Sequence, residues 1–118
     1  MAEHEKWLMQ AIRDLETARN SYQSGDYYAS AFWAQQAAEK ALKALLLYRG
    51  KPYRGHDLVE LGYLIRDELG RTYYDDLRAL TMHYVTSKYP DIANATPFEI
   101  YTRADAKNTI ERAGRVIE

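Results

Sequence analysis

Cysteine is absent from all 118 residues, which removes a disulfide framework, a thiolate zinc site and a cysteine nucleophile together. Proline and glycine are sparse, three and six, too few for a linker-like or low-complexity chain. No apolar run approaches the roughly 18–20 residues that a membrane span requires. The leading MAEHEKW is acidic and polar rather than signal-like, so the expectation is a cytoplasmic chain with no membrane partner. Sixteen basic and seventeen acidic side chains leave a net charge of −1, which argues against a basic protein that coats DNA. Phe and Trp number two each. Tyrosine, by contrast, occurs eleven times. A ring with a hydroxyl suits interfaces and half-wet pockets better than a dry core.

What is present is helical periodicity. Leu8, Ala11, Leu15, Ala18 and Tyr22 recur at helical spacing from about Glu3 to Tyr22, with Trp7 and Ile12 widening the stripe. Gly25 suits the position just past a helix end and Asp26 suits the cap of the next helix. Residues Tyr27 to Tyr48 contain neither Pro nor Gly and are apolar around most of the helix, as expected of the central helix of a bundle. Its narrow polar strip holds Gln36, Lys40 and Lys43, with Gln35 and Glu39 beside them.

Gly50 to His56 reads as a loop, and Asp57 with Glu60 opens a third helix with Leu58, Leu61, Ile65 and Leu69 inward and Gly70 at its end. Thr72 with Asp75 opens a fourth, which Pro90 stops. Residues 88–101 hold two prolines without a period and are expected to form a long ordered loop. Thr102 with Asp105 starts a last helix facing inward through Ala106, Ile110, Ala113 and Ile117. Val is scarce and alternation absent, so no strand is expected. The reading is all-α: one domain over residues 1–118, an up-and-down bundle of four or five helices.

With these residues in place the chain resembles the HEPN family of small helical domains. The resemblance rests on Trp7, Ala11 and Asp14-Leu15, on Gly25-Asp26-Tyr27, and on the run Phe32 to Ala44 (FWAQQAAEKALKA). Gly50, His56-Asp57-Leu58, Tyr84, Lys88-Tyr89-Pro90-Asp91 and Tyr101 continue it in order, with Lys88 standing where the family usually has Arg. The resemblance implies a homodimer, a minimal nucleotidyltransferase as partner, and a place in a toxin–antitoxin type pair. Some branches of the family are metal-independent RNases; for others nucleotide or RNA binding is the implied role.

The RNase signature, Arg then four to six residues then His, is matched by Arg78 and His83. A near-neutral imidazole can move the proton of a ribose 2′-hydroxyl while a guanidinium holds the phosphate, with no cofactor. Two features oppose this. Residues five apart on a helix point about 140° from each other, so one protomer converges them poorly and a site across a dimer axis is needed. Arg49 and His56 also satisfy the spacing, inside a loop. The other reading is a surface Arg and a half-buried His beside Tyr84.

A second candidate is an anion site. Arg49, Lys51 and Arg54 form a basic run before His56 and the Asp57 helix start, and Lys88, Tyr89 and Arg103 are further candidate ligands. Gln36, Glu39, Lys40, Lys43 and Tyr84 are expected either to face solvent or to line a groove between protomers. No metal-ligating cluster is evident.

Overall fold

The computed structural model describes residues 2–50, 55, 57–64, 72–86 and 96–117. Two long helices dominate, α1 (Glu3–Gln23) and α2 (Tyr27–Tyr48). Gly25 turns them into a hairpin. Its φ of +84° is open to glycine without strain, and its N–H donates to the Tyr22 carbonyl while that of Asp26 donates to Ser21. These two bonds close a Schellman turn. Asp26 occupies the cap position of α2 as expected, yet its carboxylate caps no α2 backbone N–H; it accepts from Ser24 Oγ at 3.4 Å.

The hairpin packs closely because its seam is alanine. Ala11, Ala18, Ala31, Ala34, Ala37 and Ala38 are all fully buried. Small side chains let the backbones approach until Ser30 Oγ of α2 donates to the Ala18 carbonyl of α1 at 2.7 Å. Larger side chains fill the other side of α2: Leu42 and Leu46 meet Leu58 and Leu61 of α3 (Leu58–Leu64) and Leu77 and Leu80 of α4 (Thr72–Thr81). Asp57 caps α3 as its sequence implies, its Oδ1 accepting from the N–H groups of Val59 and Glu60. The Leu58 N–H is satisfied across the fold by Thr81 Oγ1 at 3.0 Å, which ties the α3 start to the α4 end.

The fourth helix is not continuous. It breaks at the exposed turn residue Met82, after which α5 (His83–Thr86) follows. The expected loop of 88–101 also contains structure: α6 (Pro97–Ile100) is a single turn begun by Thr96, whose hydroxyl donates to Glu99, with Pro97 at the first helical position. Thr96-Pro97-Phe98-Glu99 is a capping-box spacing, so this turn has a local signal. The last helix, α7 (Arg103–Ile117), starts with a reciprocal box: Thr102 N–H to Asp105 Oδ2 at 2.9 Å, and Asp105 N–H to Thr102 Oγ1 at 3.1 Å.

Two inward stripes are rotated from expectation. On α1 the buried residues are Ala11, Asp14, Leu15 and Ala18, while Leu8 and Ile12 are 41% and 46% exposed. Asp14 is drawn inward by Lys40 of α2, which turns the other flank of the helix outward. On α7 the buried set is Ala106, Thr109, Ala113 and Val116, with Ile110 and Ile117 half-buried. The described residues form an all-α bundle and contain no strand.

Candidate functional site

His83 opens α5 and faces α7. Its Nδ1 lies 2.6 Å from the hydroxyl of Tyr101, a residue that is itself buried, and its Nε2 lies 3.5 Å from Thr109 Oγ1. Thr109 spends its only hydroxyl proton on the Asp105 carbonyl at 2.7 Å, so toward His83 it can only accept. The tautomer follows: Nε2 carries the hydrogen, and Nδ1 accepts from the Tyr101 phenol. Burial holds the imidazole below its ordinary pKa, and Arg112 acts in the same direction against Asp105. Burial, helped by Asp105, raises the Tyr101 phenol far above its usual value, so it keeps the proton it donates. The result is a neutral histidine with both ring nitrogens engaged within one protomer.

Arg78 stands elsewhere. On the outside of α4, its guanidinium bonds Asp75 at 3.2 Å, with side chains 66% and 81% exposed. The break at Met82 places the two residues on different helical segments. Arg78 is engaged on the outer surface, and His83 is turned into the α5–α7 interface. Tyr84 packs with Phe32 of α2, ring centroids 6.5 Å apart and stacked.

The polar strip of α2 is a buried chain of hydrogen bonds. Gln36 donates to Gln35 at 2.8 Å, Gln35 to Glu39 at 3.3 Å, and Lys43 to Glu39 at 3.1 Å. Gln35 is fully buried; Glu39 and Lys43 are 3% and 8% exposed. Across the hairpin Lys40 pairs with Asp14, which also accepts from Gln10 at 2.9 Å. The two ammonium groups lie over indoles, Lys40 over Trp33 at 5.8 Å and Lys43 over Trp7 at 5.7 Å. A shallow groove of about 240 Å³ runs beside them between Lys6, Trp7, Gln10 and Lys40.

A third cluster has no local signal in the sequence. Asp76, 5% exposed on α4, accepts from Arg112 at 3.0 Å and from Arg115 at 3.0 and 2.8 Å. The bonds from Arg115 outweigh the cost of burial and hold its carboxyl below the usual range. Partners 36 and 39 residues apart leave no spacing to read.

Known proteins share this chain's family pattern and fold. The family model of the HEPN domain matches residues 4–118. This chain belongs to the HEPN family. Two solved structures share the architecture. TT1696 from Thermus thermophilus is 33% identical, with a TM-score of 0.90 over 99% of this chain and 94% of that one. ST0689, described as an archaeal HEPN homologue, is 36% identical, with a TM-score of 0.82 over 99% and 93%. A protein of Methanocaldococcus jannaschii named "Putative toxin MJ1304" is 27% identical over 95% of this chain and 82% of its own length.

Within this HEPN domain the two described candidate anion ligands, Arg49 and Arg103, stand apart. Arg49 ends α2 and lies over the Tyr48 ring at 6.0 Å, beside His4. Arg103 lies at the other end of α2, its Nε bonding the Tyr22 hydroxyl at 2.9 Å, with the Tyr27 ring next to Tyr22. Arg49 and Arg103 are thus about one full α2 length apart, roughly 30 Å, and share no cleft. Lys51, Arg54, His56, Lys88 and Tyr89 lie outside the described residues. Among the described residues no three His, Asp or Glu side chains gather as a metal site, and no helix is long and apolar enough to cross a membrane.

Of the HEPN residues that build the His83 site, sequence reasoning found His83 and missed Tyr101, Thr109 and Asp105 as its partners. Asp14 carried a usable signal, since an acid inside the stripe Ala11-Asp14-Leu15-Ala18 demands a buried cationic partner.

Proposed function

We propose that this HEPN-domain protein is a homodimeric interaction module that binds nucleotide or RNA and pairs with a minimal nucleotidyltransferase in a toxin–antitoxin type system, without cutting RNA itself. The carrying observation is His83: a general base needs a free lone pair, and the one on Nδ1 is filled by the Tyr101 phenol at 2.6 Å. The cation suited to bind a scissile phosphate, Arg78, is engaged with Asp75 on the outer face of α4. Family membership and the relative named as a toxin support the toxin–antitoxin setting.

The runner-up is a metal-independent endoribonuclease using Arg78 and His83 across the dimer. It requires the Tyr101–His83 bond to open when RNA binds. A purely structural bundle without ligand is the third reading, separated from the first by calorimetry with nucleotides and RNA. Co-expression with a minimal nucleotidyltransferase tests the partner: a stable complex through gel filtration is expected, and two independently eluting proteins would count against the pairing.

A further inference from the structure

Seven charged side chains lie on α1, and their pairing is uneven. Glu3 pairs with Lys6, Arg13 with Glu16, and Asp14 with Lys40. The side chains of Glu5 and Arg19 make no ion pair or hydrogen bond within the described chain, and both residues are exposed. Between them lies the largest exposed apolar group of the helix: Leu8, Met9 and Ile12, at 41%, 57% and 46% exposure. Glu5, Leu8, Ile12 and Arg19 fall at the three- and four-residue steps of one helical seam.

The seam is self-complementary. Glu5 lies seven residues before Ile12 and Arg19 seven residues after it, each about 10 Å along the axis. A two-fold axis through Ile12 therefore superposes each unpaired acid on an unpaired base. We propose that α1 is a self-association surface: a second copy of this chain docks antiparallel along it, with Ile12 at the two-fold axis and Glu5 facing the partner's Arg19. Leu8 and Met9 are covered on both sides of the axis. Glu16 faces the partner's Leu8 and is already neutralised by Arg13 at 2.8 Å. An isologous contact of this kind closes on itself as a dimer and does not propagate.

The inference rests on the homodimeric reading above and names the surface for it. Since the chain has no cysteine, Ile12→Cys places one thiol per protomer on the proposed axis. Mild oxidation is expected to convert this variant to a covalent dimer on a non-reducing gel, while Lys107→Cys, on an exposed part of α7, stays monomeric. Glu5→Arg or Arg19→Glu alone is expected to weaken association about tenfold, and the two together to restore it, because the swap regenerates both pairs. A sedimentation dimer with no Ile12→Cys cross-link and no rescue would overturn the α1 surface while leaving the dimer standing. A monomer for the unmodified protein at micromolar concentration would overturn both.

Discussion

The phenol of Tyr101 and Nδ1 of His83 lie 2.6 Å apart, joining α5 to the segment between α6 and α7. Tyr101→Phe removes the donor and leaves a buried lone pair unsatisfied, at an expected cost of about 1–2 kcal/mol in chemical denaturation. Because the lost bond favoured the neutral ring, the imidazole pKa should also rise toward its ordinary 6.5. Proton NMR titration reads this directly; an unmoved titration would refute the bond.

The same burial makes stability depend on pH. The folded pKa of His83 lies below 6.5, so as pH falls past 6.5 the unfolded chain takes up a proton before the folded one does. Stability is full above that pH and declines until the folded ring also titrates. The carboxyl of Asp76 adds its own loss only lower down, as pH falls from its ordinary value of 3.8 through its lowered folded value. Thermal melts between about pH 7.5 and 5 should therefore show a falling midpoint, and His83→Leu should flatten that slope. An equal slope in the variant would assign it to other groups.

Asp76 clamps α4 to α7 through two arginines. Arg112 and Arg115 keep 26% and 51% of their side chains in solvent, so freeing them costs less than stranding a buried charge. Asp76→Asn is expected to destabilise by about 2–3 kcal/mol, below the range for fully buried pairs. Equilibrium urea unfolding measures it, and a change under about 0.5 kcal/mol would class the clamp with surface ion pairs.

The Glu39–Lys43 pair is more enclosed, at 4% and 10% side-chain exposure. Lys43→Met removes the cation paired with the buried Glu39 carboxylate and should cost about 3–5 kcal/mol, whereas adding Glu39→Leu should recover much of the loss. A double-mutant cycle with additive losses would show that the pair is not coupled.

Much of the fold is legible because its signals are local. Gly25, the Asp57 cap and the Thr102–Asp105 box mark element ends within four residues of sequence, and each is realised. The Pro97 turn is equally local, but two prolines without a period mask it as a loop. The site is less legible because its partners are distant: His83 meets Tyr101 and Thr109 across 18 and 26 residues. Helical period also says which side chains share a face, not which flank turns to the core. Leu8 and Ile12 share a face with Leu15, yet Asp14 and its Lys40 partner rotate α1 so that they meet solvent. The tyrosine excess is distributed: Tyr22 with Tyr27, Tyr84 with Phe32, Tyr101 with His83.

Binding without cleavage is decided by incubating the purified protein, metal-free, with labelled single-stranded RNA and following both retention and length. Retained RNA of unchanged length is expected, with Tyr101→Phe and His83→Ala equally inert in cleavage. Shortened RNA ending in 2′,3′-cyclic phosphate, produced by the native chain and lost in His83→Ala, would overturn the non-catalytic reading.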